Sequence, residues 1–327
     1  MFLLQLPNEL LLDILSNAGR EFFRQNVSRL TVSRQWYGLA WQVMARDLLL
    51  TTTSLMKLTE NEAALMRNRP RIATVELRFN GFEDSGLLTQ TNRPAMEQDH
   101  ITADIVDKWT TRLNSSLAKM CAALQQCPGL QCVTVKAAPE KYDIGLERLG
   151  YLTVEPLADL LSVCHLTSLE LDIGGSYPLG QTSDPNTHFC RLINSQFPSL
   201  RKLRCRINTV CEHLLKPPNN EKPLRLKEVI VNLSVVKGGH DIKLYGYSGK
   251  CQPIPGEKPW PQMDAIESQA VKLASCLRNP RMVRIIYVYA LIDSCPHAYD
   301  ALTGQRFRLK RGAQWDADGE LLGDGKY

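Results

Sequence analysis

The chain carries ten cysteines and six histidines, the side chains that most often hold transition metals or act as activated nucleophiles and bases. The cysteines stand at positions 121, 127, 132, 164, 190, 205, 211, 251, 276 and 295, and no two form a Cys-x-x-Cys pair. Cys211-Glu212-His213 and Cys295-Pro296-His297 each offer two metal ligands. Neither repeats at zinc-finger spacing, so no zinc is expected from the pattern. Most cysteines, such as Cys121, Cys132, Cys164 and Cys205, fall inside apolar strand or helix patterns. That placement favours buried, reduced thiols of an intracellular protein over a disulfide framework. The histidines, at 100, 165, 188, 213, 240 and 297, form no metal-binding pair and read as surface or packing residues. Gly246-Tyr247-Ser248-Gly249 lacks the residue between serine and glycine that a nucleophile elbow requires. Gly175 to Gly180 has phosphate-loop spacing but continues Gln181-Thr182, without the lysine that reaches the phosphates. Asp316-Ala317-Asp318-Gly319-Glu320 places its glycine too early for a calcium loop. These patterns predict no enzyme, no metal and no cofactor. A hydrolase would need a strongly shifted titratable cluster in a deep cleft.

Binding is then the chemistry left to position. The chain has 327 residues, 44% hydrophobic and 22% charged, the composition of an ordinary globular protein with room for one small and one larger domain. No run approaches the roughly 18 apolar residues of a membrane span. The start, Met1-Phe2-Leu3-Leu4-Gln5-Leu6, has no basic region and meets Pro7 and Glu9 at once, so a signal peptide is not expected. Cytoplasm and/or nucleus is the expected location. The net charge of +5 is local: eight basic residues lie between Arg201 and Lys227 against Glu212 and Glu221. No nucleic-acid motif accompanies them, and neither nucleic acid nor membrane is an expected partner.

From residue 70 onward one apolar phrase, φ-x-x-φ-x-φ, recurs: Ile72-Val75-Leu77, Leu130-Val133-Val135, Leu166-Leu169-Leu171, Leu200-Leu203-Cys205, Leu226-Val229-Val231 and Met282-Ile285-Tyr287. Pro70, Pro128, Pro198 and Pro280 stand two residues before four of these copies. The final alternation is that of a strand, and the proline separates it from a preceding helix. Trp109, Leu113, Leu117, Met120, Cys121 and Leu124 make one such helix face, and Val271, Leu273, Ala274 and Leu277 another. Helix, proline and short strand in repetition resembles the irregular leucine-rich repeats, over about residues 65–295, although the starts are unevenly spaced. An α/β domain with parallel strands and no solenoid curvature is the alternative.

If apolar strand positions face the core, the residues between them line the opposite face. That assignment nominates Arg78, Lys136, Glu170, Asp172, Lys202, Arg204 and Arg206 as target-binding residues, with Trp260 from the Lys237 to Gln262 loop. The ladder Lys202/Arg204/Arg206 would neighbour Glu170/Asp172 on the preceding strand. Cross-strand ion pairing accounts for both, and recognition of an acidic or phosphorylated target is the second account. A second long loop spans Gly174 to His188. The tail after Tyr299 reads as a hairpin around Phe307 and Leu309 that would cap the repeats.

The N-terminal fifty residues carry a different grammar. Pro7 suits a first helical turn and Glu9 the positive helix end. Leu10, Leu11, Ile14 and Leu15 form one apolar stripe on a helix that Gly19 stops. Phe22, Phe23, Val27 and Leu30 follow, and Ser33 caps a third helix bearing Trp36, Leu39, Ala40, Val43 and Met44. Leu6-Pro7-x-Glu9-Leu10-Leu11, Ile14-Leu15-Ser16 and Val32-Ser33-Arg34-x-Trp36-x-x-Leu39-Ala40, in that order, resemble the F-box. The resemblance covers about residues 4–50. It implies that Leu6, Pro7, Glu9, Leu10, Ile14, Leu15, Val32, Ser33, Trp36 and Leu39 contact a Skp-family adaptor or form the core of the module. No contact is assigned to Asn17 to Asn26.

The expected fold class is therefore α/β: an N-terminal three-helix F-box (1–50), a linker helix (51–70), an irregular leucine-rich-repeat-like solenoid (71–298) and a C-terminal hairpin or cap (299–327). The implied function is that of a substrate receptor in a cullin-RING ubiquitin ligase, which binds the adaptor, the cullin-RING scaffold through it, and a target protein. A leucine-rich-repeat interaction scaffold without any ligase role is the alternative.

Overall fold

The sequence alternation produces a long open sheet. The computed structural model describes residues 3–61, 63, 65–66, 69–82, 95–137, 151–161, 166–173, 178–179, 189–218, 223–237, 244–247, 249–251, 263–288 and 295–322. Ten strands form one sheet in the order of the chain: β1 Asp47–Thr51, β2 Thr74–Phe79, β3 Cys132–Ala137, β4 Ser168–Asp172, β5 Lys202–Arg206, β6 Glu228–Asn232, β7 Met282–Val288, β8 Pro296–Asp300, β9 Arg306–Arg308 and β10 Glu320–Leu321. Strands β1 to β7 are parallel and β8 to β10 antiparallel. The sheet does not close on itself.

One hydrogen-bond ladder shows that the strands are equivalent. The residue before each of strands β2 to β7 donates its N–H to the carbonyl of its counterpart one strand earlier: Ala73 to Arg46, Gln131 to Ala73, Thr167 to Gln131, Arg201 to Thr167, Lys227 to Arg201 and Arg281 to Lys227, all at 2.7–2.8 Å. Two departures from the sequence reading follow from that ladder. Strand β1 is an additional copy, in which Ala45, Leu48 and Leu50 stand where Ile72, Val75 and Leu77 stand in β2. No proline separates it from the helix before it, so it lies partly in the stretch assigned to a helical module. The last parallel copy is also shifted: Met282 pairs with Glu228, so Val283 and Ile285 are the counterparts of Val229 and Val231. A two-residue slip leaves Ile285 and Tyr287 on the core face, because the strand period is two, while Met282 falls on the opposite face with Ile230 and Ile286.

Seven α-helices occur among the described residues: α1 Asn8–Gln25, α2 Arg34–Arg46, α3 Thr52–Glu60, α4 Ala95–Gln125, α5 Val154–Leu161, α6 Phe189–Ser195 and α7 Met263–Ser275. Helices α3 to α7 share one core with the apolar strand positions; Leu55, Leu113, Leu117, Leu157, Ile193 and Leu273 are buried with Val75, Val133, Leu169, Leu203, Val229 and Val283. Within the stretch expected as a linker helix, 51–70, α3 covers Thr52–Glu60, packs into the core through Leu55 and Met56, and is closed at its start by a capping box between Thr51 and Ser54, while Arg69–Arg71 is a 3-10 turn. In α7 the buried face is Ile266, Ala270 and Leu273, and Val271 points to solvent. No described helix is long and apolar enough to cross a membrane.

Residues 8–46 have a core of their own, built from Leu11, Leu15, Phe23, Leu30, Trp36, Leu39, Ala40 and Val43. Gly19, at φ +74°, breaks α1 where the sequence called for a stop. Ser33 Oγ accepts the Trp36 N–H at 3.1 Å and starts α2. At the other end, β8 to β10 extend the sheet, and the hairpin begins at Pro296, before Tyr299. Residues 309–317 then return across the face opposite helices α3 to α7. Trp315 and Leu309 pack there on Ile230, Ile286 and Ala298.

Candidate functional site

Two surfaces hold the residues nominated from the sequence. The first is the outer side of the N-terminal helices. An α-helix turns about 100° per residue, so Leu10/Ile14 and Leu11/Leu15 form two neighbouring rows. The structure separates them. Leu11 and Leu15 are sealed inside the helical core, whereas Leu10 is 52% and Ile14 41% exposed. The single apolar stripe read from the sequence is therefore two rows with different environments.

Pro7, Glu9 and Val32 are also exposed, Leu6 and Ser33 are half-buried, and Trp36 and Leu39 are buried. The ten nominated positions thus divide into surface residues and core residues of one small unit. Trp36 anchors that core and donates its indole N–H to the Arg29 carbonyl at 2.5 Å. Leu4, Phe22, Val27 and Tyr37 add to the exposed apolar surface. Of the second apolar set, Phe23 at the end of α1 and Leu30 in the 3-10 turn Val27–Leu30 reach the core, while Phe22 and Val27 stay exposed. Of the exposed large apolar side chains among the described residues, seven lie within the first 37 residues and four elsewhere. The apolar surface is concentrated on one unit.

The second surface is the outer face of the sheet. Register aligns its side chains in rows: Glu76, Thr134, Glu170, Arg204, Ile230 and Arg284 form one, and Arg78, Lys136, Asp172 and Arg206 the next. Arg206 grips Asp172 with two bonds, Nε to Oδ1 at 2.6 Å and Nη2 to Oδ2 at 2.7 Å, the planar fork of a strong ion pair. Lys202 approaches Glu228 at 3.4 Å.

The other nominated acid–base pairing is not the one formed. Glu170 stands opposite Arg204 in register, yet Glu170 pairs with Lys136 at 3.0 Å. Arg204 instead binds Glu228 and Asp316, each at 2.5 Å. Asp316 reaches it because the tail crosses the face. The bond from Arg204 holds the Asp316 carboxyl below its ordinary range. Burial opposes the charge of Arg204, but its two carboxylate partners outweigh that and raise its pKa. Trp315 lies with its ring 5.2 Å from the Arg206 guanidinium, and Arg284 donates to the Trp315 and Ala317 carbonyls at 3.1 and 2.8 Å. Ile230 of β6 and Arg284, Ile286 and Val288 of β7, which alternate with the core-facing residues, are all buried as well. The face is covered at its C-terminal end.

Its N-terminal end is closed differently. Glu76 is only 8% exposed, because its carboxylate is shared by Arg20 of α1 at 3.0 Å and Arg78 at 2.7 Å. Burial would push the Glu76 carboxyl up; the bonds from Arg78 and Arg20 outweigh it and hold the group below its ordinary range. Between the two ends, the side chains of Arg78 and Lys136 stay about half exposed and paired in register. Trp260 lies outside the described residues, as does Cys164.

Sites for covalent chemistry are sparse among the described residues. Burial pushes the Cys121 thiol up to about 12 and the Cys127 thiol up to about 11, which keeps both protonated and unreactive. A cleft between α3 and α4 is lined by Thr59, Glu60, Asp107, Arg112, Ser116 and Lys119, with neither a histidine nor a cysteine. The chain matches no family model, no curated protein and no solved structure.

Proposed function

We propose that this chain is the substrate-recognition subunit of a cullin-RING ubiquitin ligase. Residues 1–50 act as an F-box that docks a Skp-family adaptor, and through it the cullin-RING scaffold. The observation that carries the reading is the exposed row of Leu10 and Ile14, with Pro7 and Val32 also exposed, on a helical unit whose core is already filled by Leu11, Leu15 and Trp36. A large apolar side chain left in water forgoes about 1.5–3 kcal/mol of burial, so a concentrated group of them marks an interaction site.

The sheet with its helices is, in this proposal, an irregular leucine-rich-repeat solenoid, supported by the recurrent ladder from Arg46 to Arg281. Its outer face, open around Arg78, Lys136, Glu170 and Asp172, takes the target. The chain itself performs no chemistry; it raises the effective concentration of a target lysine near a ubiquitin-loaded enzyme.

A second reading is a repeat scaffold without ligase function. The salt bridge from Arg20 to Glu76 and the direct passage of α2 into β1 favour it, since they make the helical unit an end cap for the sheet. Co-purification with a Skp-family adaptor separates the two. Wild type is expected to bind, and Leu10→Asp/Ile14→Asp to lose binding while keeping its circular dichroism spectrum. A folded wild type that binds no adaptor would leave the scaffold reading.

A further inference from the structure

Three cysteines distant in sequence converge beneath the sheet. Cys190 is the second residue of α6 and is fully buried. Cys211 and Cys251 each follow directly on a two-residue strand, Thr209–Val210 and Gly249–Lys250. These strands run parallel, with Thr209 opposite Gly249 and Val210 opposite Lys250, so the next residue of each is a cysteine. All three sulfurs lie within 4.8 Å of one another, with Cys190 and Cys251 3.7 Å apart. The Nδ1 atom of His213, in the turn after Cys211, is 3.4 Å from Cys211 Sγ.

We propose that Cys190, Cys211 and Cys251 bind a zinc ion, with His213 as the fourth ligand. A tetrahedral zinc with Zn–S of about 2.3 Å sets its sulfurs about 3.8 Å apart, and with Zn–N of about 2.0–2.1 Å it sets sulfur and nitrogen about 3.5 Å apart. The 3.7 Å between Cys190 and Cys251 and the 3.4 Å between Cys211 and His213 match one edge of each kind. A disulfide, with its S–S bond of about 2.05 Å, would use two of the sulfurs and leave the third without a role. Three thiolates and a fourth ligand form a closed, redox-inert structural site; the three sulfurs are already grouped, and His213, which lies beside Cys211 alone, would turn in to complete it. On binding, each thiol gives its proton to solvent and its sulfur lone pair to the metal.

The site has a mechanical purpose. Cys251 stands in the long insertion between β6 and β7, packed on the main core, and its strand, Gly249–Lys250, pairs with Thr209–Val210 over only two residues. So short a pairing is a weak anchor. Coordination to Cys190 would pin the insertion to α6, closing a segment in which the two cysteines are 61 positions apart. Cys211-Glu212-His213 then supplies its two ligands not to a zinc finger but to a site completed by two other segments. The inference does not depend on the ligase reading.

The test is metal analysis of the full-length chain, purified reduced and without chelator, followed by replacement with Co(II). About one zinc per chain is expected, and the cobalt form should show thiolate charge-transfer absorption with the intense visible bands of tetrahedral coordination. Cys211→Ser and Cys251→Ser, at half-buried positions, should weaken binding more than tenfold, and the exposed Cys276→Ser should not. His213→Ala should weaken binding and change the visible cobalt bands; unchanged bands would overturn its assignment as ligand. The buried Cys190→Ser is not used, since its loss could unfold the helix. A reduced, folded wild type that binds neither zinc nor cobalt would overturn the site, as would a Cys190–Cys251 disulfide in the protein isolated from cells.

Discussion

Replacing Trp315 with alanine tests whether the tail is held on the outer face by the contacts described. The indole packs against Ile230, Ile286, Ala298 and Leu309 and lies beside the Arg206 guanidinium. A fully buried aromatic costs about 3–5 kcal/mol when cut to alanine. Trp315 is half-buried, so roughly half of that, about 1.5–2.5 kcal/mol, is the packing loss. The lost cation–π contact adds about 0.5–1 kcal/mol. The total, about 2–3.5 kcal/mol, should act locally, because the backbone acceptors for Arg284 and the Asp316 carboxylate remain. Hydrogen exchange is the suitable assay: at about 1.4 kcal/mol per factor of ten, protection should fall about 30- to 300-fold. The loss should appear at the amides of Leu309, Ala313 and Ala317, which donate to Pro296, Lys310 and Gln314. The amides of β2 and β3 should be unaffected. Unchanged protection along 309–317 would refute the claim that Trp315 holds the tail, and an equal loss in every strand would refute its local character.

The remaining predictions concern the two ends of the sheet. Leu15→Ala, at a position 1% exposed, should destabilise the helical unit by about 2–5 kcal/mol, whereas Leu10→Ala should change stability by less than about 0.5 kcal/mol. Equal losses in denaturant unfolding would contradict the division of the stripe. Glu76 has a carboxyl pKa lowered by folding, so its contribution is present above its unfolded pKa and is lost as pH falls through the folded one. The stability gap between wild type and Glu76→Gln should be widest near neutral pH and close in acid; a gap independent of pH would contradict this. Arg306 binds Glu267 through two bonds, at 2.8 and 2.7 Å, and Glu267 is only 8% exposed. Arg306→Met should cost about 3–5 kcal/mol by leaving a buried carboxylate without its cation, and Arg306→Met/Glu267→Met should recover most of it. A double variant no more stable than the single one would show that the ion pair is not the cause.

Local periodicity carried much of the architecture. Alternation in Ile72-Val75-Leu77 and its relatives named the strands and their inward faces, since a strand's period of two assigns each side chain to a face with no knowledge of the neighbouring strand. Gly19 as a stop and Ser33 as a cap were legible for the same reason, each acting within one helical turn. What depended on partners distant in the chain was not legible. A slip of two residues at β7 keeps Ile285 and Tyr287 on the core face, so their alternation could not reveal it. Strand β1 carries the same phrase in Ala45, Leu48 and Leu50, but it follows its helix with no proline to mark the join. Leu10 and Leu11 are equally apolar, and only the packing of α2 against α1 sends one inward and leaves the other in water. Arg204 could be matched to Glu170 by register, but not to Asp316, which lies 112 positions later and arrives only because the tail folds back. The three cysteines stand in separate segments with no shared spacing, and the parallel pairing of two short strands over α6 brings their sulfurs together. Sequence determined what each segment would be, because backbone and side-chain preferences act over a few residues. Tertiary structure decided which surfaces remained open, because that is set by what else folds onto them.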